Sequence, residues 1–380
     1  ANTFIVSPVT LAASFTTPTN NAPVVFLENA NDIRVRDLTV DGAGRGNANY
    51  RFIGVGFWNA GGKVLDCDVA HVRDTPVNGS QHGNGIYAYN VTGGPYVIEV
   101  GGCNVSDFQK NGITMNGTGL TGNVHDCLVT GNGNIAYTAQ NGIQFGFGAG
   151  GTVSNTTVNG VFYTPNTASA SGLIVYAGTN VAVTGFTATA CQVGAYFENT
   201  NGSLNGITIG GNTSGVPATG VLVYDSNASL MAQAKSGGLV PRPCSVVGID
   251  GAGDKFAGGA NATSSAPMSV SVGPGCLTGD GLTNSIGVQV YGGGGPLSCS
   301  ISGIEATAWD YGVAAGGTNA TTVGHGNSFA GNVTAGWYSD AGLTNDAAAN
   351  WWGHASGPSG TGPGTGDAVS GASVVYSPWL

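Results

Sequence analysis

Short stretches in which apolar and polar residues alternate recur along this chain. Each begins with a polar residue and a glycine, as in Asn111-Gly112-Ile113-Thr114, and alternation with a period of two predicts a β-strand. The phrase returns about every 22 to 30 residues, a period typical of solenoid proteins. Its glycines are Gly85, Gly112, Gly142, Gly172, Gly194 and Gly220 and, after an interruption, Gly287, Gly312 and Gly336.

A second alternating phrase lies between successive landmarks, for example at Val64–Val69 and Val124–Val129. Strands this short bury their apolar side chains only by stacking on one another, about 4.8 Å apart. We therefore predict an all-β fold, a single-stranded right-handed parallel β-helix (a β-solenoid) of about a dozen coils of roughly 22–31 residues. The competing architectures are a propeller, whose blades repeat at about 40 residues or more, and a β-sandwich, which has no fixed period.

The repeat also predicts a register. The residues that follow the landmark glycines should form one inward ladder, which consists of Ile86, Ile113, Ile143 and Leu173. Asn84, Asn111 and Asn141 precede the glycines and should form a polar ladder at a turn. We expect Gly and Asn at the turns because they tolerate positive φ angles.

The repeat predicts a single β-helix domain over residues 1–380. We expect residues 1–9 to form an extended strand that pairs either with its own first coil or with a neighbouring copy in a head-to-tail assembly. Trp351 and Trp352 should close the final coil. The predicted parts are an N-terminal strand or cap (1–25), regular coils (26–225), coils with a long loop excursion (226–283), regular coils (284–349) and a closing segment (350–380).

The composition argues against a nucleic-acid-binding protein and against a membrane-spanning one. The chain has 68 Gly among 380 residues, 8% charged residues and a formal net charge of -10, so it lacks the basic surface that nucleic acid binding requires. The chain contains no run of about 18 apolar residues, the length that would predict a membrane-spanning helix. The first residue is Ala1, which fits removal of a secretory signal peptide, so we expect a secreted protein outside the cell or on its surface.

Two segments, Asp107–Ile113 and Ala139–Gln144, resemble a large group of bacterial and archaeal right-handed parallel β-helix repeat proteins. The ending, from Asn350-Trp351-Trp352-Gly353 to Ser377-Pro378-Trp379-Leu380, is similar to the closing segment of β-helix regions in exported surface proteins. The resemblance implies the fold and an exported location. It implies no activity, because β-helix relatives include polysaccharide lyases, hydrolases, tailspikes, adhesins and surface-layer components.

Titratable side chains concentrate between Asp66 and Asp126. Stacking could place His82, Lys110 and Gln140 in one row just before the Asn-Gly-Ile strands. A Lys or His beside carboxylates would abstract a sugar proton in a lyase, and paired carboxylates would serve a glycoside hydrolase. The residues of such a catalytic site would be His82, Asp107, Lys110, His125 and Asp126.

The alternative is that these polar side chains cap turns or face water. Only 10 residues are Lys or Arg, whereas lyases that act on acidic polymers display a basic groove, and an acidic protein repels such polymers. We therefore favour a structural or adhesive surface protein, whose partners are extracellular carbohydrate and itself. A polysaccharide lyase or glycoside hydrolase is the second hypothesis.

Other residue types suggest further sites. Calcium would find oxygen ligands at Asp66 and Asp68, or at Asp32, Asp37 and Asp41, although the spacing matches no EF-hand, and we expect no other cofactor. Cys67, Cys103 and Cys127 occupy equivalent positions and should stack in the core. The cysteines expected to supply one disulfide are Cys244, Cys276 and Cys299, and the aromatic candidates for sugar contact are Trp58, Tyr87, Tyr89, Trp309 and Trp337.

Overall fold

The computed structural model of the protein describes residues 3–17, 19–165, 167–226 and 267–380. These residues form β-strands, most of them short, and a single 3-10 turn, Gly46–Ala48. No helix among them is long and apolar enough to cross a membrane. The described chain divides into two compact units, one ending at Ala182 and one beginning at Val183.

The first unit contains eighteen complete strands. They are β1 (Thr3–Val6), β2 (Phe15–Thr16), β3 (Asn20–Glu28), β4 (Ile33–Arg36), β5 (Leu38–Asp41), β6 (Phe52–Trp58), β7 (Gly62–Leu65), β8 (Asp68–Ala70), β9 (Asn84–Tyr89), β10 (Tyr96–Gly101), β11 (Asn104–Ser106), β12 (Asn111–Asn116), β13 (Leu120–His125), β14 (Leu128–Ile135), β15 (Asn141–Gly146), β16 (Gly150–Ser154), β17 (Thr157–Tyr163) and β18 (Ser171–Tyr176).

The strand β19 (Val181–Thr184) contains the point where the two units divide. The strands of the second unit are β20 (Thr187–Thr189), β21 (Val193–Glu198), β22 (Gly202–Asn205), β23 (Ile207–Gly210), β24 (Thr219–Tyr224), β25 (Met268–Val272), β26 (Gly275–Thr278), β27 (Ile286–Ser302), β28 (Ile304–Thr307), β29 (Tyr311–His325), β30 (Ser328–Phe329), β31 (Ala335–Ser339), β32 (Thr344–Asp346), β33 (Pro358–Gly360), β34 (Gly366–Gly371) and β35 (Val374–Val375).

In the first unit, parallel pairing arranges the strands on three faces. The first face contains β1, β5, β8, β11, β14 and β17. The second face contains β3, β6, β9, β12, β15 and β18. The third face contains β4, β7, β10, β13 and β16.

The predicted inward ladder is confirmed on the second face. Ile113 pairs with Ile86 on one side and with Ile143 on the other, and Ile143 pairs with Leu173. All four side chains have no exposed surface. Valines form the matching ladders of the other two faces, which are Val40, Val69, Val105, Val129 and Val158 on the first and Val35, Val64, Val100, Val124 and Val153 on the third.

The landmark glycines are required for close approach, not for positive φ. A Cβ atom on Gly112 would lie 2.5 Å from Val129 Cγ1 and 2.6 Å from the carbonyl oxygen of Gly142 in the next coil. Positive φ occurs instead at corners, for example between the third and first faces, where a row of residues turns the chain in successive coils. That row contains Asp37, Asp66, Gly102, Asp126 and Asn155.

The second unit repeats the three-faced arrangement. Its first face contains β20, β23, β26, β28 and β30, and each of the long strands β27 and β29 runs from the second face into the third. Inward residues of the second face again form a ladder, which contains Ala195, Val221, Val288, Val313 and Trp337. Of the predicted loop excursion, residues 227–266 lie outside the described chain, whereas β25 and β26 continue the coil pattern.

The ends of the chain also show regular pairing. Strand β1 pairs in parallel with β5 of its own first coil, one of the two arrangements predicted for the N-terminal residues. At the other end β34 pairs with β31 and β33, and β35 pairs with β32. Trp352 is fully buried, 5.2 Å from the ring of Phe329, whereas Trp351 is 36% exposed.

Candidate functional site

The five residues of the predicted catalytic set lie at different corners of the coils. Asp126 precedes the first-face strand β14, whereas Asp107 follows the first-face strand β11. Since these strands run parallel, the two carboxylates lie at opposite edges of that face, with the strand Asn104–Ser106 between those edges. The set therefore does not form one site.

At the corner that follows the first face, charged side chains from successive coils meet in a group that we name the His71 cluster: Asp41, His71, Arg73 and Asp107. His71 Nδ1 lies 2.9 Å from Asp41 Oδ1, and its Nε2 lies 3.9 Å from Asp107 Oδ2. Arg73 Nε donates to Asp107 Oδ2 at 2.6 Å. The His71 side chain is 50% exposed, so the imidazole is accessible to solvent.

His82 belongs to a buried polar group beside this corner. Its Nε2 lies 3.1 Å from Asp74 Oδ1, while its Nδ1 accepts a hydrogen bond from the backbone N–H of Phe52 at 3.3 Å. Asp74 also accepts from Asn78 and from Gln109, at 2.7 and 3.2 Å. This pattern places the proton of His82 on Nε2 and occupies both ring nitrogens inside the protein.

Lys110 is fully buried, and its ammonium group donates to the carbonyl oxygen of Ala139. Of the predicted row, Lys110 and Gln140 are level, since Asn111 pairs with Asn141, but His82 is displaced by one residue. Because Asn84 pairs with Asn111, Lys110 is level with Gly83, and His82 is level with Gln109. The Asn ladder is confirmed, since Asn141 Nδ2 donates to Asn111 Oδ1 at 3.1 Å.

A second charged group, the His125 cluster, lies on the third face and contains Lys63, Glu99, His125 and Asp126. Lys63 Nζ donates to Glu99 Oε2 at 2.5 Å, and the two residues pair directly in register. His125 lies between two carboxylates, with Nδ1 2.8 Å from Asp126 Oδ2 and Nε2 3.3 Å from Glu99 Oε1.

The charges of this cluster shift one another's pKa values. The hydrogen bond from Lys63 lowers the pKa of Glu99, and the hydrogen bond with His125 lowers the pKa of Asp126. Partial burial opposes the charged form of His125, but its hydrogen bonds to Asp126 and Glu99 outweigh burial and raise its pKa. The arrangement therefore stabilises a protonated histidine between two ionised carboxylates.

Residues 53–235, just under half of the chain, match the model of a protein family described as the right handed beta helix region. We refer to residues 53–235 as the β-helix region. The match, together with the parallel three-faced coils, confirms the predicted fold class and resemblance. Among curated proteins, none is significantly similar in sequence.

Two solved structures are similar to the chain at low identity. The crystal structure of pectate lyase Pel9A has 12% identity and a TM-score of 0.35, and the match covers 100% of this chain and 68% of that one. The catalytic domain of GH87 alpha-1,3-glucanase, as the D1068A variant with tetrasaccharides, has 10% identity and a TM-score of 0.32, with coverage of 100% and 67%. Likeness at this level carries no information about catalytic residues.

Lys63 and Glu99 are the members of the His125 cluster that sequence reasoning missed. Each lies four residues before a core cysteine, as Lys63 before Cys67 and Glu99 before Cys103. Cys67 and Cys103 are at equivalent positions of neighbouring coils, so this spacing already places Lys63 and Glu99 in one row. The position four residues before each of these cysteines therefore predicts that Lys63 and Glu99 are neighbours.

The predicted calcium residues do not gather around one point. Asp66 lies in the positive-φ corner row, and Asp68 accepts a hydrogen bond from Asn104 Nδ2 at 2.9 Å. Asp32 and Asp37 bind Arg34 and Arg36 on the surface. Within the described ranges, no three His, Cys, Asp or Glu side chains are arranged to hold a metal ion.

Most of the aromatic candidates for sugar contact are buried, which contradicts that prediction. Trp309 and Trp337 lie in the core of the second unit. On the outside of the second face of the β-helix region, Tyr87 and Tyr89 stack at 6.0 Å and are buried, and Trp58 stacks on Tyr89 while partly exposed. Phe15 covers this stack, so it packs against the protein itself.

The predicted stacking of three cysteines is found in the structure, but one of the predicted disulfide pairings is not. Cys67, Cys103 and Cys127 are buried free thiols, which confirms that they stack in the core. Cys276 is exposed on β26 and Cys299 is buried on β27, and both are free, so a bridge between these two is wrong. Cys244 lies outside the described residues.

Glu198, on β21 of the second unit, was not singled out from the sequence. Burial raises its pKa to about 7, although the hydroxyl groups of Ser226 and Tyr196 donate to it. A carboxyl group at the end of an apolar strand gives no sequence signal of its own, because strand alternation does not reveal which outward positions other residues cover.

Proposed function

We propose that this protein is an extracellular structural or adhesive β-solenoid of the cell surface or matrix. The observation that carries the proposal is the burial of His82 and Lys110, two bases of the predicted catalytic set. Both ring nitrogens of His82 and the ammonium group of Lys110 bind protein atoms. A base so enclosed does not reach a polysaccharide.

The charged groups on the surface support the same role. In the His125 cluster each carboxylate has a cationic neighbour, and in the His71 cluster Arg73 neutralises Asp107. Such pairs between neighbouring coils relieve the repulsion that stacked like charges would cause. They stabilise the stack without requiring a substrate.

We further propose that copies associate end to end through β1. This strand pairs with β5 on one side, and the described residues supply no strand on its other side. Phe4 and Val6 are 59% and 50% exposed, so the edge is apolar. An exposed apolar strand edge is a site at which a second chain adds.

Light scattering and electron microscopy of the purified protein test association. We expect the native protein to form assemblies that grow with concentration, and a Phe4→Lys, Val6→Lys double variant to remain monomeric. Val97→Lys, at an exposed third-face position, is the matched control and should assemble normally. Monomers at high concentration for both the native protein and the control would refute assembly.

A polysaccharide lyase or glycoside hydrolase is the second candidate, and the His71 cluster favours it. Asp41 binds His71 Nδ1, and the imidazole is half exposed, as in a carboxylate-histidine pair that acts as a base. A panel of uronate and neutral polysaccharides tests this activity. Turnover that is lost in His71→Ala and retained in His354→Ala, an exposed histidine elsewhere, would establish the enzyme and overturn the structural role.

A further inference from the structure

A column of three thiols lies inside the corner between the third and first faces of the first unit. We name Cys67, Cys103 and Cys127 the thiol column. The residues that directly follow these cysteines pair with one another in register, so the cysteines are level in successive coils. All three are free thiols, and their exposed fractions are 2%, 1% and 4%. The coils therefore enclose the column, with Cys103 in the middle.

The spacing of the coils restricts which thiols are able to join. Neighbouring parallel strands lie about 4.8 Å apart, so the Cα atom of Cys103 is at about this distance from that of either neighbour. A disulfide requires a separation of about 4.4 to 6.8 Å. Cys67 and Cys127 are two coils apart, roughly 10 Å by the same spacing, which is too far. Every bridge within the column must therefore include Cys103.

The column ends after three coils. The level positions in the coils before and after it hold Leu38 and Thr156. Thr156 is buried, and its Oγ1 accepts a hydrogen bond from the backbone N–H of Cys127 at 3.3 Å. Neither neighbour of the column has a thiol, so a bridge that forms here remains within these three coils.

The three thiols differ in how readily they ionise. The hydrogen bond with Cys127 raises the pKa of Cys103 to about 12, and the hydrogen bond with Cys103 raises the pKa of Cys67. At the other end, the hydrogen bond with Cys103 lowers the pKa of Cys127. Cys127 is consequently the thiol that most readily becomes a thiolate, the form that attacks a disulfide.

Cys127 is also the member of the column that is closest to the surface. It is the most exposed of the three, at 4%, and it lies between two exposed corner residues. The side chain of Asp126 is 59% exposed, and Leu128 is 44% exposed. A small oxidant therefore enters the column at Cys127.

We propose that the thiol column is a site at which a low-molecular-weight disulfide installs a covalent bridge between neighbouring coils, from Cys103 to Cys127. The Cys127 thiolate attacks the small disulfide and displaces one of its two sulfurs as a thiolate, which leaves a mixed disulfide on the protein. The Cys103 thiolate then attacks the Cys127 sulfur and displaces the second. Two electrons pass from the protein thiols to the small disulfide, and the two thiol protons pass to the released thiolates.

The bridge closes one complete coil of the first unit. Cys67 remains a thiol beside Cys103, so it is able to take the place of Cys127 by thiol–disulfide exchange. Disulfides persist outside cells, where the bridge would fasten two coils together and restrict the unfolded chain. The inference goes beyond the structural role proposed above and does not depend on association through β1.

Glutathione buffers test the site in the full chain. The reduced, folded protein is equilibrated with reduced and oxidised glutathione, quenched with acid, digested with pepsin and mapped by mass spectrometry. We expect a bridge between Cys103 and Cys127. The ratio of squared reduced to oxidised glutathione at half oxidation should be at least about tenfold higher for the folded protein than for the protein in urea, because the fold holds the two sulfurs together.

Serine variants show which thiols take part. Cys103→Ser should abolish every bridge within the column, and Cys127→Ser should move the bridge to Cys67 and Cys103. Cys299→Ser, which removes a buried thiol of the second unit, is the matched control and should leave the bridge unchanged. Circular dichroism verifies that each variant is folded, and Cys103→Ala, which keeps the position apolar, replaces Cys103→Ser if the serine unfolds the chain.

Three outcomes would overturn the proposal. The first is absence of the bridge under conditions in which the exposed Cys276 forms a mixed disulfide with glutathione. The second is a ratio at half oxidation that is no higher for the folded protein than for the protein in urea, since the coil would then oppose the bridge. The third is a bridge between Cys67 and Cys127 in the folded Cys103→Ser variant.

Discussion

His82 Nε2 lies 3.1 Å from Asp74 Oδ1, and the two side chains are only 3% and 4% exposed. The pair joins the loop after β8 to the start of β6 through the hydrogen bond from the Phe52 N–H to His82 Nδ1. A polar pair so deeply buried is a structural element of the coil, and its loss leaves groups without partners.

Replacement of His82 by Ala should therefore lower the free energy of unfolding by about 3 kcal/mol, because it leaves the Asp74 carboxylate buried without its histidine donor. Urea denaturation measures the change. His71→Ala is the control, because His71 is half exposed and its removal should cost little. Equal losses in the two variants would contradict the assignment of His82 to the structure.

Replacement of Ile113 by Asp should unfold the first unit or lower its free energy of unfolding by more than about 4 kcal/mol. Ile113 has no exposed surface and lies between Ile86 and Ile143, so the new carboxylate would be buried without a partner. Thr121→Asp, at an exposed position of the same coil, should be tolerated. Thermal denaturation followed by circular dichroism distinguishes the two.

The His125 cluster should make stability depend on pH. Because the pKa of His125 is raised, its stabilisation is complete below the unfolded value of 6.5 and is lost as pH rises through the folded pKa. Glu99 and Asp126 have lowered pKa values, so their stabilisation is present above 4.5 and 3.8 and is lost as pH falls through their folded pKa values.

The cluster consequently stabilises the fold most between about pH 4.5 and 6.5. His125→Gln should lower the free energy of unfolding more at pH 5.5 than at pH 8.5, and salt should reduce the difference. His354→Gln, a substitution of an exposed histidine, should show no such dependence. A loss that is the same at both pH values would show that the imidazolium charge contributes nothing.

Glu198 should make the fold less stable as the pH rises. Its pKa is raised from 4.5 to about 7, so ionisation favours the unfolded chain increasingly as pH rises between these values. Glu198→Gln should therefore gain stability relative to the native protein from pH 4.5 to 7 and keep that gain above it. Glu305→Gln, at an exposed position, serves as the control, and a constant difference at all pH values would be contrary to this expectation.

Native-state alkylation followed by peptide mass spectrometry should label Cys276 rapidly, because it is exposed and free. Cys67, Cys103, Cys127, Cys191 and Cys299 are buried and should react only in denaturant. Labelling of Cys276 that requires a reductant would show that this thiol is in a disulfide.

The coil and its register could be predicted from the pattern of residues along the chain. Period-two alternation shows which residues point inward, and the recurring glycine aligns one coil with the next, so the ladder through Ile113 could be predicted without coordinates. The same pattern assigned the stacked cysteines to the core. These features depend only on neighbours that lie one period apart along the chain.

The contacts between polar side chains at the corners could not be predicted in this way. Sequence reasoning grouped His82 with His125, but they lie at different corners, because His82 precedes a second-face strand whereas His125 ends a third-face strand. It missed Glu99, whose partners Lys63 and His125 belong to the coils on either side. The sequence also did not reveal that the outward-pointing Tyr87 is buried. Alternation distinguishes inward from outward positions, but it does not show which outward positions another segment covers.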